Sequence, residues 1–158
     1  MRRAAFSAVL FLAVQSGTAT ASDNWQIYRG KAASWGYDAG ALGRGPRSGT
    51  LNVRYATYRL NADTLDGTVY HYAVTTAVFN CSARTARITQ IALYDNDGAQ
   101  IDKLAANSEA PWTPVDGNDA DQISKILFAV GCKGDPAPGG AIDGGDFESA
   151  LQKMKLSS

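Results

Sequence analysis

Two cysteines, Cys81 and Cys132, are the only cysteines in the chain, and they constrain its fold more than any other residues. In an oxidising compartment two sole cysteines are expected to pair, which brings their Cα atoms to within about 6 Å. The bond would close a loop of roughly 50 residues and contribute about 4 kcal/mol in the chain-entropy model. A zinc site is a poorer use, because zinc takes four ligands and the chain adds one histidine to the two cysteines. We therefore predict a Cys81–Cys132 disulfide.

The N-terminus has the pattern of an export signal. Arg2 and Arg3 precede an apolar stretch from Ala4 to Val14, and Ala19-Thr20-Ala21 matches the small-residue cleavage site of secretory signal peptides. The apolar stretch is too short for a membrane-spanning helix, which needs about 20 residues. We expect cleavage near Ala21 and a secreted or periplasmic mature chain, which agrees with the predicted disulfide.

The segment from Val69 to Cys81 is the longest predicted strand. Its residues alternate between two faces, with Tyr72 and Val74 on one and Ala77 and Phe79 on the other. Four shorter strands are predicted at Trp25–Arg29, Ser34–Asp38, Thr85–Tyr94 and Gln100–Leu104.

A further long strand is predicted from Leu51 to Leu60. Its apolar positions change phase between Tyr55 and Tyr58, which predicts a bulge near Ala56 and Thr57. A turn over Asn61–Gly67 would then connect this strand to the next.

One amphipathic helix is predicted before the second cysteine. Ile123, Ile126, Leu127 and Val130 recur at helical spacing, and Asn118 or Asp119 can cap the helix start. Because Cys132 follows this stripe directly, the predicted disulfide would attach the helix to the sheet.

Residues 134–158 are predicted to be a flexible tail, because Gly134–Gly145 is rich in Gly, Pro and Asp. A short, loosely attached helix over Asp146–Leu156 is the alternative, with Phe147, Leu151 and Met154 at i, i+4 and i+7. The predicted organisation is thus a signal peptide at 1–21, a folded domain at 22–133 and a tail at 134–158.

Charge is distributed unevenly along the chain. Residues 22–94 contain eight basic and four acidic side chains, whereas residues 95–158 contain five lysines and eleven acids. Arginine suits carboxylate, sulfate or phosphate groups, so the arginines of the first half are candidate partner-binding residues: Arg44, Arg47, Arg54 and Arg59. The partner would be an acidic protein or a sulfated glycan. Packing of the two halves against each other, or plain solvated faces, are the structural alternatives.

No catalytic constellation is visible in the sequence. His71 is the single histidine and has no serine or cysteine nucleophile in a recognisable motif beside it. Asp95 and Asp97 lie in the Asp95–Gly98 segment, which is predicted to be a hairpin turn. We expect a protein that is not an enzyme and uses neither a metal nor another cofactor, with a small hydrolase as the remaining alternative.

An ordered series of residues resembles the surface-adhesin protein E family of bacterial exported proteins. The series is Trp25, Tyr37-Asp38, Cys81 with Arg84, Tyr94-Asp95 with Gly98, Trp112 and Cys132. The chain departs from that family at Asn80, where an acid is usual, and in the Gly/Pro segment after Cys132. The resemblance implies a curved antiparallel sheet of about six strands, with a C-terminal helix bridged by a disulfide to its concave face. It also implies adhesion to extracellular proteins.

The fold class predicted from these observations is α+β, with that sheet and a C-terminal helix disulfide-bridged to one face. The predicted function is an exported binding or adhesion-like module for an extracellular or envelope macromolecule. A periplasmic structural or inhibitory protein is the alternative in the same class. We expect neither a nucleic-acid partner nor membrane insertion, and a homodimer stays open.

Overall fold

The computed structural model describes residues 24–30, 32–45, 48–105, 110–117 and 120–155. Within these residues, one antiparallel sheet contains nine strands, and two α-helices and a π-helical turn pack against it. No helix in these ranges is long and apolar enough to cross a membrane. The predicted signal peptide at 1–21 lies outside the described residues.

The nine strands are β1 Trp25–Tyr28, β2 Ala33–Asp38, β3 Gly43–Arg44, β4 Thr50–Leu65, β5 Thr68–Asn80, β6 Thr85–Tyr94, β7 Gln100–Ala105, β8 Thr113–Pro114 and β9 Ile142–Gly145. They pair in the order β7-β6-β5-β4-β2-β1-β9, while the two-residue strands β3 and β8 pair with β4 and β6. The prediction of about six strands was therefore too low. The five strands predicted from alternation or apolar clustering at 25–29, 34–38, 69–81, 85–94 and 100–104 are all present within one or two residues.

One face of the sheet, here called the α1 face, is covered by helix α1, Gln122–Phe128, and the π-helical turn Ala129–Lys133. Leu127 and Phe128 are buried against side chains that alternate along the strands, including Val53, Ala77 and Phe79. Small side chains on β5 leave room for the helix to lie across this face.

The opposite face, here called the α2 face, is covered by the C-terminal helix α2, Phe147–Lys155. Leu151 and Met154 of α2 are buried in a second cluster on this face. The sheet residues of that cluster are Trp25, Ile27, Ala56, Tyr58, Tyr72, Val74 and Ala92. The sheet is thus the middle of three layers.

The predicted disulfide is present. Cys81 lies in the turn after β5 and Cys132 in the π-helical turn, with their Cα atoms 5.3 Å apart. Cys132 directly follows α1, the helix predicted over Ile123–Val130, but α1 is not the C-terminal helix of the domain. Helix α2 follows α1 in the chain and contains no cysteine.

Residues 134–158 were predicted to be a flexible tail, and the described part of this segment is instead folded. Strand β9 pairs with β1, and Ala150, Leu151 and Met154 of α2 are buried. Asp146 caps α2, because its carboxylate accepts a hydrogen bond of 2.8 Å from the backbone N–H of Ser149. The folded domain therefore includes the described residues of this segment, through Lys155.

The predicted bulge is displaced along β4. Pairing with β2 and β5 is regular through Ala56 and Thr57, and the irregularity falls between Tyr58 and Asp63. Strand β4 also continues to Leu65, so the turn predicted over 61–67 is reduced to Asp66 and Gly67. Both have positive φ, as a two-residue hairpin turn requires.

The cap of α1 is Asp121 rather than a residue before it. The Asp121 carboxylate accepts a hydrogen bond of 2.9 Å from the backbone N–H of Ser124. The caps predicted from the sequence, Asn118 and Asp119, lie outside the described residues.

Candidate binding groove

A row of aromatic side chains lies on the α1 face at the β1–β2 side of the sheet. Tyr28 and Trp35 are cross-strand partners, and their rings stack with centroids 4.3 Å apart. Tyr37, two residues further along β2, lies 6.4 Å from both rings. Burial raises the pKa of Tyr28 and of Tyr37, so both hydroxyls stay protonated at neutral pH. The row is therefore a rigid, uncharged wall.

The side chains on the other side of Trp35 are short. Its partner on β4 is Thr57, and the partner of Thr57 on β5 is Ala73. The short side chain of Thr57 therefore leaves space beside the indole ring, and Trp35 and Thr57 both line an opening there.

This opening is a groove of about 360 Å³. Its lining includes Ala33 and Trp35 from β2, a line of three residues from β4, and one helix residue, Ile123. The three β4 residues are Thr57, Arg59 and Asn61, which follow one another at every second position. The volume is within the usual range of small-molecule sites, about 300–1,000 Å³. We call this feature the Trp35 groove.

Arg59 is the charged residue among the described residues that line the Trp35 groove. Its side chain is 59% exposed and its Nη1 lies 3.2 Å from Oδ2 of Asp63. An exposed pair of this kind contributes only about 0–1 kcal/mol, so the guanidinium can exchange this contact for a ligand.

Asp63 has further hydrogen-bond donors besides Arg59. It accepts hydrogen bonds from the Tyr70 hydroxyl and the backbone N–H of Thr64. Burial, followed by the charge of Asp63, raises the pKa of Tyr70. The tyrosine therefore remains a donor, and Asp63 keeps these two partners when Arg59 engages a ligand.

The structure does not bring the four predicted arginines together. Arg47 lies outside the described residues, and Arg44 is in the short strand β3, opposite Leu51, with a side chain that the structure does not describe. Because the strand is regular between them, Arg54 and Arg59 lie on opposite faces of the sheet.

Arg54 belongs to the α2 face. Its guanidinium lies 3.6 Å from Asp38 and over the rings of Trp25 and Phe147, at 5.3 and 4.8 Å. Through these contacts the Arg54 guanidinium takes part in packing α2 on the sheet. Of the four candidate arginines, Arg59 is therefore the one that the structure places in a groove.

His71 lies on the neighbouring strand, and its Nδ1 is 3.1 Å from the backbone carbonyl of Arg59. Its ring centroid is 6.3 Å from that of Tyr58. Both contacts help to hold β4 and β5 together where their pairing becomes irregular.

A second cleft, of about 730 Å³, lies between the β6–β7 turn and α2. Asp97 and Glu148 give it acidic walls, and Leu151 contributes apolar surface. Lys153 also lines the cleft, and its Nζ donates to the backbone carbonyl of Asp143. Asp97 is paired with Lys155 of α2, Oδ1 to Nζ, at 3.3 Å. These charged groups hold α2 in place, which makes the cleft a weaker candidate than the Trp35 groove.

The described residues contain no group of three or more His, Cys, Asp or Glu side chains that could hold a metal ion. No protein-family model, curated protein or solved structure matches the chain. The class that the structure defines is therefore an antiparallel α+β domain with one disulfide and a helix on each face of its sheet.

Sequence reasoning missed Trp35, Thr57, Asn61 and Ile123 as groove residues. The spacing of residues along β4 contained a signal for two of them, since Thr57, Arg59 and Asn61 are at every second position. The predicted bulge at Ala56 and Thr57 concealed it.

Proposed function

We propose that the chain is an exported, non-catalytic binding module of the surface-adhesin protein E type. It binds an anionic extracellular or envelope macromolecule through the Trp35 groove. The observation that carries this proposal is the combination of a rigid indole wall with a single exposed guanidinium at the same opening. Pockets with apolar walls and a few polar groups are the usual form of a binding site.

The location of the groove supports the proposal. It lies on a sheet braced by helices on both faces and by the Cys81–Cys132 bond, so its residues keep their relative positions without a ligand. Preorganisation of this kind lowers the entropic cost of binding.

Binding is favoured over catalysis by the environment of the groove. A hydrolase needs a nucleophile and a base within hydrogen-bond reach of each other. The single histidine, His71, has its Nδ1 at a backbone carbonyl and its ring beside Tyr58. We therefore expect His71→Ala to leave partner binding unchanged.

The test is retention of the purified mature chain on immobilised anionic and neutral macromolecules over a salt gradient. We expect Arg59→Gln to weaken retention on the anionic surface, and rising salt to weaken retention of the wild type, because exposed charges are screened over about 8 Å at physiological salt.

Arg84→Gln is the matched control. Arg84 is 66% exposed and paired with Asp116, Nη1 to Oδ2, at 3.1 Å, so it resembles Arg59 in exposure and pairing but does not line the groove. Equal retention of wild type and both variants at every salt concentration would refute the proposal and favour a structural or inhibitory role.

A further inference from the structure

The ligand chemistry of the Trp35 groove can be narrowed from the order of residues across the sheet. The row Tyr28, Trp35, Thr57 and Ala73 runs across four strands in register. Tyr28 stacks on one side of the indole ring at 4.3 Å, with an interplanar angle of 14°. Because Trp35 and its other cross-strand neighbour, Thr57, both line the groove, the indole face away from Tyr28 is the one that a ligand there would contact.

That face is flat, apolar and carries the negative side of the ring quadrupole. A pyranose ring has a complementary surface, because its axial C–H bonds form an apolar, weakly positive face. The groove volume of about 360 Å³ accommodates one sugar ring beside the indole.

Beyond Thr57, the residues of β4 that line the groove supply polar groups for a sugar ring placed against the indole. Arg59 and Asn61 follow Thr57 along β4 and line the same groove. A guanidinium can hold a carboxylate or sulfate group through two parallel hydrogen bonds, and an amide can both donate to and accept from hydroxyl groups.

We infer that the ligand of the Trp35 groove is an acidic carbohydrate, with one ring on Trp35 and its carboxylate or sulfate group on Arg59. The inference rests on the proposed function, since it names the ligand class of the same groove.

An acidic protein fits the structure less well. A stable protein interface buries about 800 Å² on each partner and would use several of the arginines. Arg54 lies on the opposite face against Trp25 and Phe147, so Arg59 is the basic side chain among the described residues that line the groove. One indole face and one guanidinium suit a single charged ring better than an extended acidic surface.

The experiment is a titration of the mature, disulfide-bonded chain with a heparin-derived tetrasaccharide and with its chemically desulfated form, followed by tryptophan fluorescence. We expect the sulfated form to bind and the desulfated form to bind at least ten-fold more weakly. Arg59→Gln should lose at least ten-fold in affinity, and Arg59→Lys should lose less because it keeps the charge.

Two matched pairs locate the binding site. The fluorescence change should disappear in Trp35→Phe and persist in Trp112→Phe, since Trp112 lies over Arg87 away from the groove. Arg84→Gln should bind as the wild type does. Equal binding of the sulfated and desulfated forms would overturn the inference, as would a signal that depends on Trp112.

Failure of this inference differs from failure of the proposed function. If the tetrasaccharides do not bind but retention on an anionic protein still depends on Arg59, the carbohydrate assignment is wrong and the binding module stands. If neither measurement depends on Arg59, both proposals fall.

Discussion

Oδ2 of Asp38 lies 3.6 Å from Nη1 of Arg54, on the neighbouring strand, although Asp38 is only 1% exposed. Oδ1 of the same carboxylate accepts hydrogen bonds from the backbone N–H groups of Asn24, Gly40 and Ala41. One buried carboxylate thus fastens the segment before β1 and the turn after β2. It also positions the guanidinium on which Phe147 of α2 rests.

Replacing this carboxylate should be costly. We expect Asp38→Ala to lower the free energy of unfolding by about 2–3 kcal/mol, because it leaves three part-buried N–H donors and a partly buried guanidinium without their acceptor. Asp63→Ala is the control, since it removes an aspartate that is 38% exposed and should cost about 1 kcal/mol or less. Urea denaturation of both variants measures the difference, and equal losses would contradict this account of Asp38.

The disulfide should contribute a large share of stability. It joins residues 51 positions apart, for which the chain-entropy model gives about 4 kcal/mol. We expect the double variant Cys81→Ala, Cys132→Ala to melt many degrees lower than the oxidised wild type and close to the reduced wild type. Thermal unfolding followed by circular dichroism tests this. A variant that melts with the oxidised protein would show that sheet and helix packing suffice without the bond.

Removal of the C-terminal segment should destabilise the domain. Truncation after Lys133 deletes β9 and α2, which exposes Trp25, Ile27 and Tyr58 on the α2 face. We expect a large drop in melting temperature or failure to fold, whereas truncation after Lys155 should change little. The single substitution Met154→Ala, at a fully buried site, should cost about 2–5 kcal/mol. A stable protein ending at Lys133 would show that this segment contributes nothing to the core.

Alkaline pH should unfold the protein partly through Tyr72. Burial, followed by neighbouring Tyr58 and two aspartates, raises the pKa of Tyr72 to about 12. Its hydroxyl donates a buried hydrogen bond of 3.2 Å to the carbonyl of Leu151 in α2. Between pH 10 and pH 12 the unfolded chain has lost this proton and the folded chain still holds it, so stability falls as pH rises.

Tyr72→Phe removes the titrating hydroxyl, so residue 72 no longer contributes to the pH dependence of stability. We expect the variant to be less stable at neutral pH, because the Leu151 carbonyl loses its donor, and to lose stability less steeply between pH 10 and pH 12. Denaturation at a series of pH values gives both quantities. An unchanged slope would mean that other tyrosines determine the alkaline transition.

Strong local patterns predicted much of the sheet. The alternation from Val69 to Cys81 was enough to find β5, and it separated Tyr72 and Val74 from Ala77 and Phe79 correctly. The sole cysteines predicted the bond between sheet and helix. These features can be predicted from the sequence. The alternation depends only on the spacing of neighbouring residues, and the two cysteines have no other cysteine with which to pair.

The register of β4 could not be predicted from the sequence, for a physical reason. Tyr55 and Tyr58 are on opposite faces, and both faces carry a packed helix, so apolar side chains occur at both parities. Their change of phase resembles a bulge although the strand is regular there. The Trp35 groove depends on that register, because the register places Thr57 beside Trp35 and puts Arg59 on the same face.

The glycine-rich composition around β9 prevented its prediction from the sequence. The glycines of 139–145 suggested flexibility, but a Cβ atom at Gly144 would lie 2.7 Å from Cβ of Trp25 and 2.9 Å from Cδ1 of Ile27. Glycine is required there because two backbones approach closely. That requirement becomes visible only when β9 is placed against β1.

The pairing of β1 with β9 determines how the molecule would respond to mechanical tension. Trp25 faces Gly145 across this pair, so force applied between residues 24 and 155 separates the two strands one pair at a time, which is a weak geometry. Once the chain on both sides of the bridged segment has been pulled out, the Cys81–Cys132 bond transmits the force directly between the two cysteines. The chain between them, 51 positions long, therefore cannot extend. At about 3.4 Å per residue, these residues represent about 170 Å of length that a pulled molecule gains only after the bond is reduced.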